Sequence, residues 1–374
     1  MNLREAIDTP VFHRLSQTAR ALGMPAYVVG GFVRDYLLYR PGKDLDVVVE
    51  GSGTAFAKRF AADNQCPEVT VFENFGTAMV RWHEFEIEFV GARKESYRRD
   101  SRKPIVEEGS LHEDQLRRDF TINAMSISLN EADFGQLYDP FKGVEDLEKC
   151  IIRTPQDADI TFSDDPLRML RAVRFASRLG FDIEPQTFDA IKRNSGRITI
   201  VSQERITDEL NKIIMTGKPS EGFKLLFYTD LLELIFPELY RMHGVEYVNG
   251  RGHKDNFFHT LQVLDNVAEK SNNLWLRWVA LLHDIAKPLT KRYEAQQGWT
   301  FHGHEEKGAR MVPQIFRRMK LPLNEQMKYV EKLVRRHQRP IALVSEEVSD
   351  SAIRRIVIEA GEDLNDLLDF CRAD

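Results

Sequence analysis

Asp44 and Asp46 flank a single leucine and run directly into Val47-Val48-Val49. Side chains alternate across a strand, so the two carboxylates share one face at its start. Like charges held that close cost free energy unless a cation neutralises them. Mg²⁺ is commonly bound by one or two carboxylates together with substrate phosphates. Upstream, Gly30-Gly31 lies between an apolar stretch, Tyr27-Val28-Val29, and an amphipathic segment from Phe32 to Tyr39 that carries Arg34. A glycine pair in that position lets backbone N–H groups approach phosphate oxygens. Each feature alone is a common structural turn. The two in order point to nucleotide chemistry.

Two further clusters extend this reading. In Arg117-Arg118-Asp119-Phe120-Thr121-Ile122-Asn123, the arginines can hold phosphates bidentately. Asp119 and Asn123 are four apart and share a face if the stretch is helical. They could receive a ribose hydroxyl, or Asp119 could cap a helix. In Asp164-Asp165-Pro166-Leu167-Arg168, Asp165 and Arg168 are three apart. That spacing fits a salt bridge on a helix. It also fits an acceptor and a donor that together read a base edge, so that nucleotides are chosen without a template.

A separate signal lies toward the C-terminus. His259 falls on an expected helix, and His283-Asp284 interrupts the apolar run Val279-Ala280-Leu281-Leu282. Polar groups buried there must be satisfied, and imidazole with carboxylate suits a first-row divalent metal. His302, His304, His337 and Asp374 follow. Asp374 is the last residue of the chain. A ligand on a terminal residue is unusual, and the expectation is that a C-terminal segment is missing.

The elements that must position these residues are legible in part. Expected strands are Ala26–Val29, Leu45–Glu50, Val69–Glu73, Thr77–Trp82 and Phe85–Val90. Within the last, Glu84 to Phe89 alternates strictly, as a half-buried strand does. Glu86 or Glu88 could join the aspartates as a third carboxylate, or both could lie on a solvated edge. Residues 93–116 are polar, with Pro104 and Gly109, and are expected to form a mobile loop. From about residue 145 the strand signal fades, and residues 164–236 read as consecutive helices. Asp164 and Asp165 before Pro166 suit a helix start, and Gly180 suits its end. Pro237, Gly244, Gly250 and Gly252 mark a boundary, after which helices resume. The expected fold is α+β: a palm of mixed sheet and helices over 1–145, a helical neck and body over 146–240, and a helical region over 241–374.

With 374 residues, 42% hydrophobic and 29% charged, the chain reads as a multidomain globular protein. It has no signal peptide and no long uncharged apolar run, which argues against membrane insertion and secretion. Cys66, Cys150 and Cys371 show no metal spacing and fit a reducing cytoplasm. A net charge of −6 does not advertise nucleic-acid binding, but basic residues cluster in Arg93–Lys103 and Arg310–Arg339. Oligomeric state is not readable from the pattern.

The order GGxVRD, DxD, RRDFTINAM, Asp139-Pro140-Phe141-Lys142-Gly143 and DDPLRMLRAVRFASRLGF resembles the class II tRNA nucleotidyltransferases, the CCA-adding enzymes and their bacterial poly(A) polymerase relatives. The resemblance covers about residues 20–220. It implies two-metal addition of CMP and AMP from CTP and ATP to the tRNA 3′ end, with Mg²⁺ on Asp44 and Asp46. By motif, Gly30, Gly31 and Arg34 would hold the triphosphate. Arg118, Asp119 and Asn123 would contact phosphate and ribose, and Asp165 and Arg168 would read the bases, with Arg171 beside them. Glu88 is the implied third carboxylate. Asp164 stands where the family usually has Glu. Glu204-Arg205-Ile206 to Lys212 resembles the family's neck-supporting helix. His259, His283, Asp284 and Asp374 resemble the HD phosphohydrolase superfamily, with His304 and His337 like the extra ligands of its two-metal members. This part would bind a divalent transition metal. It would either hydrolyse a phosphate monoester or a 2′,3′-cyclic phosphate at RNA ends, or serve as a scaffold. CC-only, A-only and poly(A) addition share the same motifs. An HD hydrolase with a nucleotide-sensing palm, and nucleotidylyl transfer to protein, are readings of other classes.

Overall fold

The computed structural model describes residues 1–40, 42, 44–73, 76–96, 105–342 and 350–374. The chain forms two compact units, one of residues 1–168 with 181–190, the other of 169–180 with 191–374.

The first unit is built on strands β1 (Ala26–Val29), β2 (Asp44–Val49), β3 (Val69–Phe72), β4 (Thr77–Trp82), β5 (Phe85–Gly91), β6 (Arg93–Ser96), β7 (Ile105–Glu108), β8 (Ser126–Ser128) and β9 (Leu137–Tyr138). Seven of them form one sheet in the order β3-β4-β5-β2-β1-β8-β9. Only the β2–β5 pairing is parallel. The central strands are buried apolar runs, as expected of strands covered on both faces. Helix Gly53–Asp63 packs on β4 and β5 through Phe56 and Phe60, whose rings lie 5.5 and 5.7 Å from that of Phe89. Tyr27, Val29, Val48, Ala92 and Leu111 form a second apolar cluster.

The expected strands are present to within a residue at each end. The loop expected over 93–116 is corrected at its two ends, residues 93–96 and 105–116. β6 and β7 pair as an antiparallel ribbon, with Arg93 opposite Glu108, and helix Leu111–Leu116 follows. A reciprocal capping box between Ser110 and Glu113 starts that helix. The periodicity of so short a helix is hidden among charged residues. Residues 97–104, which hold much of the basic run from Arg93 to Lys103, lie outside the described residues.

The second unit is largely helical. Its main helices are Gln203–Ile214, Pro219–Tyr228, Asn256–Lys270, Leu274–Leu282, His304–Arg318, Glu325–Arg336, Asp350–Ala360 and Leu364–Ala373. Trp278, Phe236 and Phe316 fill its core. Arg277 is buried and donates to the carbonyls of Ile214 (2.8 Å), Thr216 (2.9 Å) and Ala268 (3.1 Å). It thereby satisfies orphan carbonyls at the C-terminal ends of two helices at once. Among the described residues, no helix is long and apolar enough to cross a membrane.

Candidate active site and candidate metal centre

The β2–β5 register sets Asp46 opposite Glu88 and Asp44 opposite Glu86. Directly opposite residues point to the same face, so the carboxylates form one group at the ends of these strands. Glu86 is engaged by Arg81 across β4, which leaves Glu88 beside Asp46. Burial pushes the Asp46 carboxyl above its usual range; Arg118 pulls it down, Asp44 pushes it up, and Arg34 pulls it down. Glu88 is raised by burial and then by the charge of Asp46, against a hydrogen bond from Thr77 and the charge of Arg93. Asp44 raises the proton affinity of Asp46, and Asp46 that of Glu88, so a divalent cation at this face would relieve the cost.

Gly30 abuts this group. Its φ is +69°, and a Cβ there would lie 3.2 Å from Arg118 Nη1 and 3.4 Å from Asp46 Oδ2. The position needs glycine for its backbone conformation and for the close approach. Gly31 opens helix Gly31–Leu37. On that helix, buried Arg34 donates through Nη1 to Asn123 Oδ1 (2.7 Å) and through Nε to Asp35 Oδ1 (2.7 Å). Asn123 donates in turn to Asp119 Oδ1 (3.0 Å). Asp119 and Asn123 do meet, at a single 3₁₀ turn, Thr121–Asn123, and not along an α-helix.

Sequence reasoning missed Asp114. Its side chain is fully buried and binds Arg117 Nε (3.0 Å) and Arg118 Nε and Nη2 (3.2 and 3.1 Å). Burial works against the charged carboxylate, yet Arg118 and Arg117 outweigh it and hold the carboxyl below its ordinary range. The spacing i, i+3 and i, i+4 to two arginines was the available signal.

Asp165 stands at a break between helices Ala158–Asp164 and Leu167–Leu179, with extended backbone ahead of Pro166. Its Oδ1 accepts from Leu167 N (3.2 Å) and its carbonyl from Arg168 N (3.0 Å), so it caps the second helix. Arg168 is buried and donates from Nη2 to the Arg117 carbonyl at 2.6 Å. One turn on, the Arg171 guanidinium lies 5.5 Å from the Phe175 ring centre.

In the helical unit, His259, His283, Asp284, His304, His337 and Asp374 converge. His259 Nε2 lies 3.0 Å from Asp374 Oδ1 and 3.8 Å from Asp284 Oδ2. His304 Nε2 lies 3.2 Å from Asp284 Oδ1 and 3.3 Å from His337 Nε2. Asp284 thus belongs to two possible ligand groups, His259–His283–Asp284 and Asp284–His304–His337. The Nδ1 atoms of His283, His304 and His337 each face a backbone carbonyl, of Ala280, Phe301 and Val334, at 2.7–2.8 Å. Those bonds orient the rings and leave Nε2 for a ligand role. His283 Nε2 and Asp284 Oδ2 are buried 3.2 Å apart without hydrogen-bond geometry. Burial, with the charge of His283, pushes His337 down to about 4, which keeps its imidazole neutral at pH 7. The donor set therefore fits a transition metal. His302 is exposed, outside the cluster. Lys287, 2.6 Å from Asp284 Oδ2, and Lys254, 2.7 Å from His259 Nδ1, went unnoticed in the sequence.

Three families match successive parts of the chain: the Poly A polymerase head domain over residues 26–153, the probable RNA and SrmB-binding site of polymerase A over 180–242, and the HD domain over 256–360. The multifunctional CCA protein of Shewanella frigidimarina is 34% identical over 307 residues, covering 80% of this chain and 70% of that protein. The A-adding tRNA nucleotidyltransferase of Aquifex aeolicus is 40% identical over 212 residues, 56% of this chain and 25% of that protein. A crystal structure of a tRNA nucleotidyltransferase complexed with a primer tRNA and an incoming ATP analog superposes with a TM-score of 0.66. It shares 26% identity, covering 96% of this chain and 94% of that one.

Proposed function

The chain belongs to the tRNA nucleotidyltransferase and poly(A) polymerase family, and we propose that it adds CMP and AMP from CTP and ATP to the 3′ end of tRNA without a template. The observation that carries this reading is Asp46, opposite Glu88 in the sheet and packed against Gly30 and Arg118, with Arg168 held to the residue next to Arg118. Reactive centre and base reader are thereby joined through two consecutive residues.

Asp44 and Asp46, with Glu88, would hold Mg²⁺. Bound there, the metal would lower the pKa of the RNA 3′-hydroxyl and neutralise the leaving pyrophosphate. Arg34 and Arg118 bind the triphosphate along Gly30-Gly31 and keep the α-phosphorus in line with the hydroxyl, so positioning and charge do most of the work. Asp119 and Asn123 orient the ribose. Asp165 accepts from and Arg168 donates to the base edge, and Arg171 extends the basic face of that helix. The palm (1–145), the neck and body (146–240) and the HD region (241–374) divide catalysis, base and RNA recognition, and metal binding. The cytoplasm is the compartment assigned, supported by cysteines that are free thiols. The HD region would hold a divalent transition metal and hydrolyse phosphate esters at RNA ends.

Purified protein with tRNA lacking its 3′ CCA, labelled CTP and ATP, given separately and together, tests the reading. The expected products are two C residues with CTP alone and a full CCA end with both. Incorporation of A alone would favour the A-adding activity named for the Aquifex relative. Runs of A would favour poly(A) synthesis, and no incorporation would overturn the proposal.

A further inference from the structure

Asp114 touches neither the carboxylate group nor the base-reading pair, yet it is bonded to the residues that serve both. It sits on helix Leu111–Leu116, which is fixed by the Ser110–Glu113 capping box and by a hydrogen bond from Leu111 N to Glu50 Oε1 at 2.9 Å. Next to it, Gln115 is buried and donates to Ser126 Oγ (2.9 Å) and the Tyr138 carbonyl (3.0 Å), which ties the helix to β8 and β9. Asp114 is therefore a rigidly mounted charge.

Its two oxygens are used differently. Oδ2 takes Nε and Nη2 of Arg118, and the remaining nitrogen, Nη1, is the one that faces Gly30 and Asp46. Oδ1 takes Nε of Arg117, whose carbonyl receives Arg168 Nη2 at 2.6 Å. Rotation of the Arg118 side chain would move a guanidinium at the phosphates, and a shift of the Arg117 backbone, which its side chain anchors to Asp114, would move the carbonyl that holds Arg168. Resting on the nucleotidyltransferase reading above, we infer that Asp114 is a positioning residue that keeps the triphosphate clamp, Arg118, and the base reader, Arg168, in register with one another. Nucleotide affinity and nucleotide choice are then set by a single buried carboxylate.

Equilibrium binding of Mg·CTP, Mg·ATP and Mg·GTP to the full chain tests this without relying on tRNA addition. The variants are Asp114→Asn, Arg117→Ala, Arg168→Ala and the double variant Asp114→Asn/Arg168→Ala. Asp114→Asn is expected to weaken CTP and ATP binding about tenfold. It is also expected to lower discrimination against GTP, with no further loss of discrimination when Arg168→Ala is added. Arg117→Ala is expected to lower discrimination more than affinity, and it covers the case in which Asp114→Asn fails to fold. Equal weakening for all three nucleotides with discrimination intact, or losses that add with Arg168→Ala, would overturn the inference. Failure of the wild type to extend tRNA, with these binding patterns present, would sink the tRNA reading and leave the role of Asp114 standing.

Discussion

The palm and the HD region each gather carboxylates for a cation, and they do so in opposite ways. In the palm, Asp44 keeps open access to solvent, and Asp46 and Glu88 are partly covered yet still reach it, with arginines close by. In the HD region, His283, Asp284, His304 and His337 are 0–3% exposed, and three of the imidazoles are anchored by their second nitrogen. The open group offers few ligands and leaves the rest to phosphate and water, as Mg²⁺ requires. The closed group would supply nearly all the ligands from the protein, which would suit a tightly held transition metal. Nucleotide turnover would suit the first arrangement, because substrate and pyrophosphate must enter and leave the site.

Independence of the two centres is the sharpest consequence. Asp46→Ala should lower CMP incorporation by roughly a thousandfold, the scale of several kcal/mol of transition-state stabilisation. Metal retained by the HD region, measured by elemental analysis, should not change. Asp284→Ala should cut HD metal affinity by about a hundredfold, since the carboxylate is shared by both ligand groups. tRNA extension by that variant should stay within about threefold of wild type, as expected for sites that share no residue. Loss of extension there would break the comparison. Within the palm, Arg168→Ala should reduce discrimination between CTP and GTP by roughly tenfold to a hundredfold in competition assays, with Mg²⁺ dependence unchanged.

The smallest effect concerns stability. Asp114 has its proton affinity depressed in the folded chain, so its contribution is present above the unfolded value of about 3.9. The contribution is lost as pH falls from there through the folded value. Asp114→Asn should therefore be less stable than wild type by roughly 2 kcal/mol at pH 7, with a gap that closes as pH drops below about 4. Urea melts at pH 7 and pH 3 would measure it, and a gap of constant size would refute the ionic origin.

What the sequence carried was local spacing. Asp44 and Asp46 share a face because strands alternate, and Asp165 caps a helix because an acceptor precedes Pro166. The aliphatic runs of β1 and β2 are strands because both their faces are buried. The periodic helices and the order of the histidines were legible for the same reason, since each depends on residues a few positions apart. Tertiary structure decided everything that depends on which strands and helices become neighbours. Parallel pairing of β2 with β5 set Glu88 opposite Asp46, and Arg81 on β4 engaged Glu86. The helix Leu111–Leu116, which follows the ribbon of β6 and β7, put Asp114 behind two arginines. The packing of five helical segments brought Asp374 to His259, 115 positions away. Spacing along a chain fixes direction only within one element, whereas long-range partners are chosen by the burial of apolar faces, which leaves no mark at the polar residues it brings together.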